Sequence, residues 1–127
     1  HESATTLFAD IVGFTKLTSQ MNNPQHVVRM LNELFSMFDE LVDKYDLNKI
    51  KTIGDCYMVS SVPLVQHDEN DCSRVCYFAL DMLKAIHRYN ERRQRRMRRR
   101  SSGSAAAAGT MSSTTTTPPP PPPLSLR

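Results

Sequence analysis

Two short segments hold the residues whose types and spacing could do chemistry. They are Phe8-Ala9-Asp10-Ile11-Val12-Gly13-Phe14-Thr15 and Lys49-Ile50-Lys51-Thr52-Ile53-Gly54-Asp55-Cys56-Tyr57-Met58. Each sets one carboxylate where an apolar run ends. Asp10 stands among Phe8, Ala9, Ile11 and Val12, where an unpaired charge would be costly to bury. It reads either as a strand-end carboxylate facing water or as a metal ligand. Gly13 permits a tight turn, so N–H groups opening a short helix at Phe14 would face the same space as Asp10. That arrangement suits phosphate. A carboxylate beside phosphate calls for a cation between them, and Mg²⁺ is held by one or two carboxylates plus substrate phosphate. Asp55, at a hairpin tip, reads alone as an ordinary turn residue, but it could supply the second carboxylate. Lys51 lies four residues before Asp55, roughly 13 Å away at strand rise. Its pattern is that of a solvated strand lysine.

The elements that must position these residues follow from periodicity. Ala4 to Val12 reads as a strand apolar on both faces, and thus buried on both. Phe14 to Met21 reads as a short helix. Asn23 is suited to cap the next helix, with Pro24 at its first position. That helix should run to about Tyr45, with Val27, Val28, Leu31, Leu34, Phe35, Phe38, Leu41 and Val42 along one stripe. Lys49 to Ile53 and Cys56 to Val62 read as a hairpin around Gly54-Asp55. Pro63 to Asn70 reads as loop. Asp71 can cap a last helix with Val75, Cys76, Ala79, Leu83, Ile86 and Tyr89 on one face. The order β-α-α-β-β-α predicts an α+β fold, a ferredoxin-like portion with an incomplete sheet.

Charge divides the chain of 127 residues. Residues 1–87 hold 7 basic and 12 acidic side chains, a net −5, while residues 88–127 hold nine arginines and Glu91, a net +8; together they make the overall +3. Residues 1–90 are therefore read as the folded unit. Residues 91–127 (arginine-rich, then Ser/Ala/Thr-rich, then the polyproline run Pro118 to Pro123) read as a disordered tail. Three cysteines, Cys56, Cys72 and Cys76, argue against a disulfide scaffold. Cys72 and Cys76, four apart on the expected last helix, read as buried small apolar side chains. No run approaches the ~20 apolar residues of a membrane span. The start at His1 leaves room for an upstream membrane or sensor domain. His26, His67 and His87 are scattered and make no metal set.

The paired motifs resemble those of class III nucleotidyl cyclases, the adenylate and guanylate cyclases, over about residues 4–90. The resemblance implies conversion of a nucleoside triphosphate to a cyclic nucleotide and pyrophosphate, for signalling on the cytoplasmic side of a membrane. It implies two Mg²⁺ or Mn²⁺ ions held by Asp10 and Asp55, with Ile11 also at the metal. Gly13, Phe14 and Thr15, with Ile11, match the segment that contacts metal and phosphates. Lys51 matches the purine-reading position. Adenine N1 is an acceptor and suits an ammonium, whereas guanine N1–H is a donor and suits a carboxylate. The expected substrate is therefore ATP. The expected partner is a second copy or another cyclase domain, because the family site lies at a head-to-tail dimer interface.

After Asn90 no segment matches the second half of the family domain, which supplies further purine, ribose and transition-state contacts. Losing preorganised transition-state charge commonly costs ~10²–10³ in rate. This chain alone is expected to be weak or inactive. A second reading is a non-catalytic remnant that binds metal-nucleotide or dimerises with a full cyclase. A guanylate cyclase is a further reading, and so is a diguanylate cyclase, although the latter's Gly-Gly-Asp/Glu-Glu-Phe hairpin is replaced here by Ile53-Gly54-Asp55-Cys56-Tyr57. Nucleic-acid or acidic-membrane binding through Arg92 to Arg100 would be non-specific and salt-dependent, and no aromatics interleave with the run.

Overall fold

The computed structural model describes residues 4–61, 70–105 and 122–127. The elements run β1 (Thr6–Ala9), α1 (Phe14–Gln20), α2 (Pro24–Lys44), β2 (Asn48–Ile53), β3 (Cys56–Ser60) and α3 (Asp71–Ala105). The strands form one antiparallel sheet in the order β1-β3-β2. The expected α+β layout is therefore present.

Local chemistry accounts for the boundaries. The Asn23 side chain accepts from the Gln25 N–H at 2.9 Å, and Pro24 opens α2. Gly13 and Gly54 sit at φ +70° and +59°, where a Cβ would be strained. These two glycines turn the chain next to each candidate aspartate.

The helices cover one face of the sheet. Leu34 and Phe38 from α2, Tyr57 and Val59 from β3, and Phe78 and Met82 from α3 are almost completely buried there. The rings of Phe35 and Phe38 each lie 5.3 Å from that of Tyr57. Such offset and edge contacts add to area burial. The Tyr57 hydroxyl donates to Asp39, which also receives Lys49 Nζ at 2.7 and 2.9 Å. Burial and the neighbouring Asp39 carboxylate push the Tyr57 phenol far above its ordinary range.

Four expectations are corrected. β1 is not buried on both faces. Phe8 is 64% exposed and Val12 47%, because helices pack on one side only and the other side of the sheet has no cover among the described residues. Cys72 and Cys76 are exposed, and only Cys56 is half-buried. α3 buries Val75, Phe78, Met82, Ala85 and Ile86, leaving Leu83 about half exposed. The run Tyr77 to Leu83 is apolar nearly all round, so its periodicity did not select a face. α3 also continues through the arginine run to Ala105, past the boundary placed at Asn90. Arginine is a good helix former, and a helix already nucleated by packed turns extends at little cost. Most of the expected loop at 63–70 and most of the Ser/Thr/Pro tail fall in 62–69 and 106–121, outside the described residues, as does His67.

Asp81 gathers the charges between α2 and α3. It accepts from Lys44 Nζ at 2.7 Å, the Tyr45 hydroxyl at 2.7 Å and Lys84 Nζ at 2.8 Å. Lys44, then Lys84 and Tyr45, hold its carboxyl well below the usual range. A carboxyl with a depressed folded pKa stabilises above its unfolded pKa, and that contribution fades as pH falls toward the folded value. The melting temperature of the wild-type chain should therefore drop more steeply below pH ~4 than that of Asp81→Asn. Parallel acid limbs in the two proteins would contradict this.

Candidate active site

Strand register brings the two aspartates together. β1 pairs with β3 through Phe8↔Met58 and Ala9↔Tyr57, and β2 pairs with β3 through Thr52↔Tyr57 and Ile53↔Cys56. One step beyond Ala9 sets Asp10 level with Cys56, beside the hairpin that carries Asp55. The two carboxyls lie within hydrogen-bonding reach of each other. Asp10 is held below the ordinary carboxylate range, first by the Arg127 guanidinium and then by Asp55. Asp55 is pushed above it, first by burial and then by Asp10. Neighbouring carboxyls with opposite shifts are what like charges in one site produce.

Arg127 is the residue that sequence reading missed. Its Nε and Nη2 donate to Asp10 Oδ2 at 3.0 and 2.8 Å. Backbone pairing holds it there. The Asp10 N–H donates to the Arg127 carbonyl and the Arg127 N–H to the Asp10 carbonyl, both at 3.0 Å, and the Val12 N–H donates to the Ser125 carbonyl at 2.9 Å. Leu126 bridges Ile11 in antiparallel sense along the β1 side of the sheet. Leu124 is buried in the core. The Asn90 side chain clamps the Leu124 backbone, donating to its carbonyl at 2.7 Å and accepting from its N–H at 2.9 Å. The sequence signal was present but faint: alternating Leu124 and Leu126 after a proline run. Asn90→Ala should release this strap at about 1–2 kcal/mol for the lost hydrogen bonds. Hydrogen exchange at the Asp10 and Val12 amides, faster in the variant, is the measurement. Unchanged protection would show that the strap does not depend on the clamp.

The other predicted residues divide by position. Gly13 is the N-cap of α1, whose N-terminus has no side-chain cap. Ile11 is buried, with Phe14 half-buried and Thr15 exposed beside it. The Ile11 backbone N–H favours the ionised forms of both aspartates. Lys51 stands apart. It pairs with Met58, which pairs with Phe8, so it lies two strands from β1, roughly 10 Å from Phe8 in backbone terms. It shares the uncovered sheet face with Phe8 and Met58.

Among the described residues no group of three or more His, Cys, Asp or Glu side chains converges to hold a metal. The donor set nevertheless suits a hard divalent cation. Two adjacent carboxyls, one driven to keep its proton by the other, present oxygen donors whose repulsion such an ion would relieve.

The first 103 residues match the family model described as the adenylate and guanylate cyclase catalytic domain. Guanylate cyclase 2G of Mus musculus is 43% identical over 82 residues, covering 65% of this chain and 7% of that protein. Retinal guanylyl cyclase 1 of Bos taurus is 38% identical over 91 residues, covering 72% and 8%. The chain thus spans less than a tenth of the length of these curated relatives. Among solved structures, the adenylyl cyclase CyaB from P. aeruginosa superposes with a TM-score of 0.66 at 25% identity, covering 98% of this chain and 52% of that one. The non-canonical dimeric guanylyl cyclase domain of the RhoGC fusion protein from Blastocladiella emersonii gives 0.62 at 29% identity, covering 68% and 47%.

Proposed function

The chain belongs to the adenylate and guanylate cyclase catalytic-domain family, and from that premise we propose that it is part of a catalytic domain that cyclises ATP to cyclic AMP with release of pyrophosphate. The observation that carries the reading is the juxtaposition of Asp10 and Asp55 at the open end of the sheet. Asp10, Asp55 and the Ile11 backbone would hold two divalent ions, Mg²⁺ or Mn²⁺. When bound, such ions lower the pKa of the ribose 3′-OH and stabilise charge on the α-phosphate. Arg127 balances Asp10 and is placed to meet a phosphate oxygen once a cation takes over that balance. The turn at Gly13 to Thr15 offers backbone N–H groups to the same polyphosphate.

Lys51 argues for adenine, since its ammonium can donate to N1 of adenine but meets a donor in guanine. The likeness to guanylyl cyclases pulls the other way. Lys51 lies on the edge strand β2, two strands from β1 and Asp10, and four residues before Asp55 in the turn that follows β2. We therefore assign them to the two halves of a composite site, with the aspartates of one chain facing Lys51 of a second cyclase domain. The reading places the chain on the cytoplasmic side of the cell, where ATP is available.

Nucleotide titration in the presence of Mn²⁺, with product measured separately, tests the reading. ATP should bind about tenfold tighter than GTP, the equivalent of one charge-assisted hydrogen bond, and Lys51→Glu should reverse the order. Turnover by the chain alone should be slow or absent. Tighter GTP binding by the wild-type chain would overturn the assignment to ATP. Failure to bind either nucleotide would overturn the catalytic reading.

A further inference from the structure

The arginine-rich half of α3 forms one wall of a groove of about 1140 Å³, and α1 with the first turns of α2 forms the other. Lys16 and Arg29 line one wall, and Arg93, Arg96, Arg99 and Arg100 line the other; Glu33 is the one carboxylate in the lining. Asp10 and Asp55 do not line it, although the groove begins at Val12 and Gly13, where the candidate active site ends.

Six cations face a single anion there, and internal pairing is sparse. Arg96 approaches Glu33 at 3.6 Å, and Arg93 donates to the Pro122 carbonyl at 3.4 Å. Among the described residues, no other arginine of the 92–100 run has a carboxylate within ion-pair distance. Residues 106–121 contain no Asp or Glu, so the connecting stretch brings no countercharge. Among the described residues, Glu33 and the neighbouring Glu40 are the carboxylates lining the space beside these arginines, which leaves most of the groove's positive charge open to an external anion.

Its chemistry can be narrowed. All nine basic residues of 88–127 are arginine, and the guanidinium fork matches phosphate bidentately where an ammonium does not. The cations converge from two walls on a concavity, which a flat bilayer would not fill. Tyr89 and His26 are the aromatic rings in the lining, and no Phe or Trp joins them, too little for a single strand that binds by stacking. We propose that this groove binds a soluble polyphosphate, a small molecule carrying several linked phosphoryl groups, outside the Asp10–Asp55 pair.

The test is calorimetric titration of the full chain with inorganic tripolyphosphate, with EDTA present and at low salt. Saturable binding that weakens with added salt is expected. The triple variant Arg93→Gln/Arg96→Gln/Arg100→Gln and the double variant Lys16→Gln/Arg29→Gln should each lose at least about tenfold in affinity. Asp10→Asn/Asp55→Asn should bind as the wild type does. Circular dichroism checks that each variant is folded, and the second wall provides an independent pair should the first variant fail. Four outcomes overturn the proposal: no saturation; loss in the α3 variant alone, which marks a solvated charged helix; equal affinity for a hexaglutamate peptide, which marks bare charge; and loss in the aspartate variant, which returns the phosphate to the catalytic site.

Discussion

Asp10→Asn is expected to weaken Mn²⁺ binding by at least about tenfold and to remove whatever cyclase turnover the chain supports. Removing a group that only hydrogen-bonds to a metal ligand commonly costs ~10–100-fold in affinity, and a direct carboxylate should cost no less. The substitution keeps the side chain's shape and removes its charge. Its effect on stability should be small. The Arg127–Asp10 pair is partly exposed, with side-chain exposures of 71% and 31%, and such pairs contribute ~1 kcal/mol or less. A melting temperature within a few degrees of wild type would therefore separate loss of metal from loss of fold. Asp55→Asn should behave alike. Asp39→Asn is the control, since Asp39 is engaged by Lys49 and Tyr57 on the covered side of the sheet. The site's pH response has a definite sign. Asp55 holds its proton above the ordinary carboxylate range, and a metal must displace that proton. Affinity should therefore fall as pH drops through the raised pKa of Asp55. Electron paramagnetic resonance of free Mn²⁺ reads both effects. Wild-type affinity in Asp10→Asn would sink the two-carboxylate site.

The largest stability effect is expected from Phe38→Ala, at about 3–5 kcal/mol. Phe38 has no exposed surface. Its ring meets Tyr57 edge-on and lies 6.2 Å from Phe35. Tyr57 sits on the central strand, so the cavity would open between α2 and the sheet. A small domain has only about 5–15 kcal/mol in total, so this one truncation should leave the fold marginal. The same truncation at Val28, 57% exposed on the same helix, should cost well under 1 kcal/mol. Urea unfolding of both variants gives the comparison. A loss below 1 kcal/mol for Phe38→Ala would contradict the packing of α2 on β3.

The consequence for Asp10 and Asp55 follows from that packing. α2 packs on β3 through Phe38 and Tyr57, and β3 is the strand that pairs with β1 next to Asp10 and follows the turn at Asp55. Asn90 and Leu124 set the strap that carries Arg127. Either contact can fail without touching a carboxylate, and each would then alter the site from a distance.

Several elements were legible from residues alone because their causes are local. Asn23-Pro24 starts a helix by its own capping chemistry, and Gly54-Asp55 turns a hairpin because glycine tolerates the positive φ. The α2 stripe through Leu34, Phe38 and Leu41 is a period that needs no partner to be seen. Asp10 and Asp55 were legible as a pair because Asp10 stands at the end of a strand just before the turn at Gly13 and Asp55 stands in the hairpin turn after Gly54. Other features depend on what lies opposite. The buried face of α3 could not be chosen from a run apolar on all sides, because only contact with α2 and β1 distinguishes Phe78 from Leu83. The exposure of Phe8 follows from having one helical layer where a double-sided strand implied two. Cys72 and Cys76 face solvent because α3 turns Val75, Phe78 and Met82 to the core instead. Arg127 is 117 residues from Asp10 in the chain, and no periodicity links residues so far apart. Sequence by itself determined which groups could do chemistry and which local turns present them. Only the tertiary structure decided that Arg127 joins them, because that depends on a strap seated by buried Leu124 and has no local cause, whereas strand rise alone already set Lys51 apart from Asp55.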